Sequence, residues 1–257
     1  MGYANLFRLD GQVAVVLGGY GGIGSELCQG LAEFGAKVVV VGRSKEKAEA
    51  MAAEIEERGG EAIGLGIDIT KKAQVTNMVE EIQERFGHLD ILVNCVGTNF
   101  IADAEEFPED EWDRLLEVNL KGAFLADQAA GRVMIAQGHG KIINISSVRG
   151  QLAIDMGYAA YCASKGGLNL LTKQLATEWA KHGINVNGLA PTFIRTPLVA
   201  KILGDEARRK KITGRIPLGR VGEPSDLVGP VVFLASHASD FITGHILLAD
   251  GGVTACQ

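Results

Sequence analysis

A chain of 257 residues, 47% hydrophobic and 22% charged, has the composition of an ordinary globular protein and the length for a large α/β core. Its formal net charge of -6 argues against nucleic acid or an anionic membrane as the main partner. No apolar run approaches the roughly 18 residues a spanning helix needs, and the opening MGYANLFRLDGQ lacks a basic-then-apolar signal pattern. Leu6 stands where a myristoylation pattern needs Ser or Thr. Cys28, Cys95, Cys162 and Cys256 form no C-x-x-C pair, and the histidines are scattered. Reduced thiols, a cytoplasmic location and no metal site are expected.

In chain order the pattern alternates. VAVVL (13–17) predicts a strand, a glycine-rich turn follows, and SELCQGLAEF predicts a helix ending at Gly35. KVVVVG (37–42) is the next strand, and residues 45–59 read as a helix closed by Gly59. EAIGLGID (61–68) reads as a strand, and Thr70 is expected to cap a helix that stops at Gly87. LDILVNCVG is a buried strand ending in a turn, residues 109–136 read as one long helix, and GKIINISS (140–147) is a strand. A helix over 158–182, a strand over 183–191, a long irregular segment, a helix over 223–236 opened by Pro224 and a strand over 244–252 complete the chain. Such alternation predicts right-handed crossovers and a single-domain, Rossmann-type, doubly wound parallel sheet of about seven strands over 1–257, with helices on both faces.

The first turn, LGGYGGIGSEL, sets Gly18, Gly22 and Gly24 between a strand and a helix. Glycine permits positive φ and close backbone approach, and the helix start offers free N–H groups and a positive dipole end to phosphates. The end of the second strand is where a ribose-binding carboxylate is expected. VVVVGRS has Gly42 there, followed by Arg43 and Ser44, which supply donors for a 2′-phosphate. Asp68, after the third strand, either accepts a hydrogen bond from adenine or caps the helix at 70. In YCASK, Tyr161 and Lys165 are four residues apart, one turn on one helix face.

LGGYGGIG, IDIT, NCVG, Asn119 in EVNLKG, NISS, YCASK, PTFIRT and LLADGG together resemble the short-chain dehydrogenase/reductase family in order and spacing, over nearly the whole chain. The sequence departs from the family pattern at Leu17, at Cys95-Val96 and at Thr192, which bears on cofactor affinity more than on the chemical groups.

The resemblance implies an oxidoreductase that interconverts a secondary alcohol and a ketone, with NADP(H) preferred and NAD(H) accepted, working as a homotetramer on a small-molecule substrate. It implies Tyr161 as general acid and base, with its pKa lowered by Lys165, and Ser147 rather than Ser146 as the hydrogen-bond donor to the substrate oxygen. Asn119 is expected to hold a relay water beside Lys165. Cofactor contacts are expected from Gly18, Tyr20, Gly21, Gly22, Ile23, Gly24, Arg43, Ser44, Asp68, Ile69, Asn94, Gly97, Tyr161, Lys165, Pro191, Ile194 and Thr196.

The two ends of the sequence are similar to the gluconate 5-dehydrogenase-like branch, which handles sugars, polyols and sugar acids. Arg149, two residues past Ser147, is the candidate for a substrate carboxylate, while Arg195 reads as a surface arginine or an intersubunit ion pair. A 3-oxoacyl carrier-protein reductase is the alternative, with ARRKK (207–211) docking an acidic carrier. A sensor without turnover comes third, since Asn119, Ser147, Tyr161 and Lys165 are all present.

Overall fold

The computed structural model describes residues 2–256, the side chain of Lys201 excepted, so the ends of the expected 1–257 span lie outside the described residues. Seven strands form one sheet: β1 (Val13–Leu17), β2 (Lys37–Gly42), β3 (Glu61–Gly66), β4 (Ile91–Asn94), β5 (Gly140–Ile145), β6 (Ile184–Pro191) and β7 (Ile246–Ala249). Their order is β3-β2-β1-β4-β5-β6-β7, and every neighbouring pair is parallel.

Parallel strands need crossover helices, and these bury both faces of the sheet. On one face lie α1 (Gly24–Glu33), α2 (Lys45–Glu57) and α9 (Val228–Ala235), packed on Ala14, Val16, Val38 and Val40. On the other lie α3 (Lys72–Phe86), α5 (Gly122–Gln137) and α6 (Ala159–Trp179), packed on Val13, Val15, Val39 and Val41. Successive strand residues therefore feed opposite cores, and β1 and β2 read as unbroken apolar runs.

Strand order reverses between β1 and β4. An open α/β sheet binds ligands outside the carboxyl ends of its strands at such a switch point. No helix among the described residues is long and apolar enough to cross a membrane.

Several boundaries differ from the sequence reading. The stretch 109–136 is not one helix. α4 (Glu109–Leu116) and α5 are joined by a π turn, Glu117–Lys121, that carries Asn119. Thr70 does not cap α3, whose N-cap is Lys71 without a side-chain bond. Thr70 instead donates its N–H and hydroxyl to Asp68 Oδ1, at 3.0 and 2.8 Å, so Asp68 organises the turn before the helix. The third strand stops at Gly66, the fifth at Ile145 and the last at Ala249, because the polar residues beyond each belong to the carboxyl-edge loops. α6 begins at Ala159 and gives way to a short 3-10 turn over Ala180–His182. The segment after β6 contains α7 (Ala200–Gly204) and α8 (Glu206–Thr213), which close a third apolar cluster with Ile202, Leu203, Ile212 and Ile216.

Candidate active site

At the end of β1 the chain turns at Gly18, φ 78°, and enters α1 at Gly24. A Cβ at Gly24 would stand 2.1 Å from the Gly18 carbonyl oxygen, so this turn closes backbone on backbone and demands glycine there. A Cβ at Gly22 would stand 2.9 Å from Thr196, which places the PTFIRT turn against the glycine turn. Ile23 is the N-cap of α1 and no side chain caps the helix; the Ser25 N–H is taken by the Gly21 carbonyl at 2.9 Å, and the helix dipole is directed at the turn. A bare helix start behind glycines whose Cβ space is taken by the fold fits a pyrophosphate.

Beside it Gly42 and Ser44 are engaged within the protein itself. A Cβ at Gly42 would meet the Tyr20 ring at 2.2 Å, so Gly42 is small because Tyr20 lies over it, not because a 2′-phosphate needs the room. Tyr20 Oη accepts from the Ser44 N–H at 3.0 Å. Ser44 Oγ caps α2 by accepting from Lys47 N at 3.3 Å and donates to Glu46 Oε2 at 2.7 Å. With a carboxylate already on its hydroxyl, Ser44 is a poor phosphate donor. Arg43 is exposed beside this turn and lies near enough to Asp68 to help hold that carboxyl below its ordinary range, after the Thr70 hydrogen bonds that dominate. Ile69 is buried and packs on the π turn, where a Cβ at Gly122 would meet it at 2.8 Å.

The reaction end lies past β5. Ser146 and Ser147 follow the strand and diverge. Ser146 Oγ turns inward to Asn169 Oδ1 at 2.5 Å, while Ser147 Oγ accepts from Arg149 N at 3.1 Å and lines a cavity of about 80 Å³ with Tyr161, Tyr158 and Arg149. Lys165 is 3% exposed, with Nζ 2.8 Å from the Ile145 carbonyl oxygen that accepts its proton and 5.8 Å from the Tyr161 ring centre.

Burial governs both groups. It pushes the Tyr161 phenol up to about 12, against the pull of a hydrogen bond from Ser147, and pushes the Lys165 ammonium down to about 8. Lys165 is not among the groups acting on Tyr161, so the expected lowering of the phenol by Lys165 is not found; desolvation outweighs it.

Asn119 is 1% exposed and its side chain is engaged. Oδ1 accepts from Thr98 N at 2.8 Å, and Nδ2 donates to Thr98 O at 2.9 Å and Ser164 Oγ at 3.2 Å. A methyl group at Gly97 would stand 3.7 Å from Lys165 Nζ and 3.8 Å from Asn119 Oδ1, so that glycine keeps the space between them open. Pro191 ends β6, and its carbonyl oxygen lies 3.5 Å from Ser147 Oγ. Ile194 is buried and bridges Gly222, while Arg195 pairs with Glu223 at 2.8 Å on the surface. Arg149 Nη1 donates to the Leu152 and Ala153 carbonyls at 3.2 and 2.7 Å, which anchors the turn that follows it.

Comparison with known proteins joins this geometry to a family. The family described as enoyl-(acyl carrier protein) reductase matches residues 18–254. The chain is 41% identical over 254 residues, 99% of each protein, to the gluconate 5-dehydrogenase of Gluconobacter oxydans (strain 621H). The chain belongs to the short-chain dehydrogenase/reductase family. It is also 40% identical to the D-threitol dehydrogenase of Mycolicibacterium smegmatis (strain ATCC 700084 / mc(2)155), over 96% of this chain and 95% of that one. The crystal structure of a gluconate 5-dehydrogenase from Burkholderia cenocepacia J2315, in complex with NADP and tartrate, superposes with a TM-score of 0.96 at 43% identity, covering 98% of this chain and 99% of that one.

Three features of this family member were not read from sequence. Tyr158 stacks edge-on to Tyr161 with centroids 5.8 Å apart, one helical turn before it, and looks like any core aromatic in a linear reading. Asn99 hydrogen-bonds Tyr158, and its Oδ1 is buried without a partner beside the cavity. Asp127 of α5 is fully buried under the β4–β5 seam, where Asn94 and Asn144 stand in register. Asn144 Nδ2 donates to Asp127 Oδ2 at 3.1 Å, yet burial pushes that carboxyl up to about 7. An acid four residues after an alanine-rich start gave no sign of this burial. Among the described residues no group of three or more His, Cys, Asp or Glu is gathered for a metal.

Proposed function

We propose that this protein is an NADP(H)-preferring oxidoreductase that interconverts a secondary alcohol and its ketone on a sugar acid, sugar or polyol. We further propose one catalytic domain over 1–257, a cytoplasmic location and a homotetramer. The observation that carries the reading is the joining of Ser147, Tyr161 and Lys165 at the carboxyl edge of β5, beside a backbone-closed glycine turn. The relatives are sugar-acid and polyol dehydrogenases, and the Burkholderia structure is in complex with NADP.

When bound, the nicotinamide supplies the hydride acceptor or donor and, oxidised, a positive charge. The start of α1, with Gly18, Gly22 and Gly24, holds the pyrophosphate; Arg43 pairs with a 2′-phosphate; Thr196 and the Ile194 backbone hold the nicotinamide end, and Lys165 the ribose hydroxyls. The rest is done by the chain's own side chains. Ser147 Oγ orients the substrate oxygen and stabilises charge on it. Tyr161 gives its proton to that oxygen when a ketone is reduced and accepts one when an alcohol is oxidised.

With the phenol high, Tyr161 stays protonated across neutral pH and holds the proton that a reduced ketone oxygen takes; to act as base in oxidation it needs the lowering that the positive charge of an oxidised nicotinamide would supply. Because reduction consumes a proton and oxidation releases one, reduction is expected to fall and oxidation to rise as pH increases. Lys165, low for an ammonium, exchanges protons near neutrality and passes them on through the space beside Gly97.

Apolar residues support the tetramer. Leu170 is 69% exposed and Phe124 37%, and a groove between the α4–α5 stretch and α6 is lined by Leu116, Leu120, Phe124 and Leu171 together with Asp113, Glu117 and Lys121.

The test is a panel of sugar acids, polyols and β-ketoacyl thioesters, followed at 340 nm with each cofactor, on the native protein and on Tyr161→Phe. Expected is turnover of a sugar acid or polyol that drops about a thousandfold or more in the variant while cofactor binding persists. Turnover of thioesters alone would move the assignment to a carrier-protein reductase.

A further inference from the structure

The relatives leave one matter open. An acid dehydrogenase and a neutral-polyol dehydrogenase match this chain at 41% and 40% identity, so overall similarity does not separate an acidic from a neutral substrate. The charge lining the site does. Beside Arg149 a second cavity of about 270 Å³ shares Arg149, Thr192 and Phe193 with the cavity that holds Ser147 and Tyr161, so the two adjoin at these side chains.

Four cations line the second cavity, Arg149, Arg208, Lys211 and Arg215, against one carboxylate, Asp155. Arg208, Lys211 and Ile212 are spaced i, i+3 and i+4 on α8, with Arg215 at i+7 just past its end, which is one helical face. Arg209 and Lys210, between them in sequence, do not line the cavity, and Lys210 pairs with Glu206 at 2.9 Å. The basic run 207–211 is thus split by the helix: Arg208 and Lys211 turn toward the cavity while Lys210 is neutralised on the surface. Arg208 has a weak partner in Asp205 at 3.7 Å. Arg149 is 9% exposed and is held below its ordinary range by burial first and by Arg215 next, so two cations are close at the junction of the cavities. Like charges gathered on one wall favour a bound anion, although of the four only Arg149 is buried.

We propose that this chamber seats the carboxylate end of an open-chain polyhydroxy acid whose carbinol carbon lies at Ser147 and Tyr161. The inference rests on the oxidoreductase reading above and narrows its substrate to the acids. The guanidinium forks and Lys211 bind the carboxylate, and the apolar side of the chamber, Ile212 included, meets the carbon chain.

The experiment compares D-gluconate with sorbitol, the same carbon chain without the carboxylate. Lys211→Gln is expected to lower the gluconate-to-sorbitol ratio of kcat/KM about tenfold, and Arg208→Gln with Lys211→Gln about a hundredfold, through KM rather than kcat. Lys210→Gln, on the outer face, is expected to leave the ratio as it is. An unchanged ratio in the double variant, or equal losses on both substrates, would overturn the proposal.

A second measurement separates it from the oxidoreductase reading. If the native protein turns over no sugar acid or polyol of the panel above, that reading fails, and the chamber is still tested by calorimetric titration of the cofactor-loaded protein with tartrate. Binding abolished in the double variant supports the chamber; no binding to the native protein refutes it. Loss of thioester reduction in Lys210→Gln with Lys211→Gln silent also refutes it, since the basic run would then serve an acidic carrier from outside.

Discussion

At the carboxyl edge of β1 the proposed cofactor site is built of backbone. The turn from Gly18 to Gly24 is so tight that a single methyl at Gly24 collides with a carbonyl oxygen, and no side chain reaches over to cap α1. Across the switch point, past β5 and β6, the proposed substrate site is built of side chains: Ser147 and Tyr161 in one cavity with Lys165 one turn on, and Arg149 with the α8 cations in the cavity beside it. Backbone recognition suits a cofactor that is always the same. Side-chain recognition on α8, which is mostly exposed, can change with the substrate while the sheet stays as it is. Between the two halves lies the β4–β5 seam, held by Asn94, Asn144, Thr172 and the buried Asp127.

The largest effect on stability is expected at that seam. The Asp127 carboxyl is raised from its ordinary 3.8 to about 7 by burial. A group raised in the folded state contributes stability that is complete below the unfolded value and is lost as pH rises through the folded one. The native protein should therefore lose stability between about pH 4 and pH 7 and level off above. Asp127→Asn, which mimics the neutral acid, should not show this loss. Its advantage in urea-unfolding free energy should grow with pH to roughly 4 kcal/mol at most by pH 8. Equal stabilities at pH 5 and pH 8 would remove Asp127 from the account of how the halves are joined.

The next effect tests the backbone half directly. Gly24→Ala forces the glycine turn open, and overpacking of this kind costs typically 1–3 kcal/mol. NADPH affinity, read by fluorescence titration, is expected to weaken about a hundredfold, with the substrate chamber untouched. Native affinity in this variant would mean the turn tolerates what the geometry forbids.

The same contrast explains what could be read from sequence. β1 and β2 are legible because burial on both faces leaves only apolar residues, and the glycine turn because glycine is the one residue that fits. Tyr161, Lys165 and Ser147 are legible because their spacing and order resemble the family. The inward face of α8 is not, since a basic run reads alike whether its residues point to solvent or into a cavity; only the packing of Ile212 fixes the helix's rotation. Neither is Asn119's π turn, because its residues are ordinary helix formers around one asparagine. The direction of the Tyr161 shift in the protein by itself is not legible, because sequence gives the spacing of Lys165 but not how far the fold covers the phenol. Ser44 is ambiguous in sequence because a cap and a phosphate donor need the same hydroxyl, which in the structure donates to Glu46.

The smallest effect concerns the one place in the backbone half where a charged side chain decides. With Gly42 covered by Tyr20 and Ser44 occupied by Glu46, the preference for a 2′-phosphate falls on Arg43 alone. Arg43 is exposed, so water and salt screen its contact, and no second cation stands in the glycine turn to share it. A charge-assisted hydrogen bond is worth about 1.5–3 kcal/mol, and exposure puts this one at the low end. Arg43→Leu is therefore expected to lower the NADPH-to-NADH ratio of kcat/KM about tenfold, chiefly by raising the KM for NADPH, with NADH barely affected. The loss should shrink as salt is added, because screening already weakens the native contact. Gly42→Asp is a poorer probe, since its side chain must first displace the Tyr20 ring and would disturb NADH as well. A ratio unchanged in Arg43→Leu at low salt would mean that the phosphate is read by the backbone too, and the division between the two halves would not hold at the ribose.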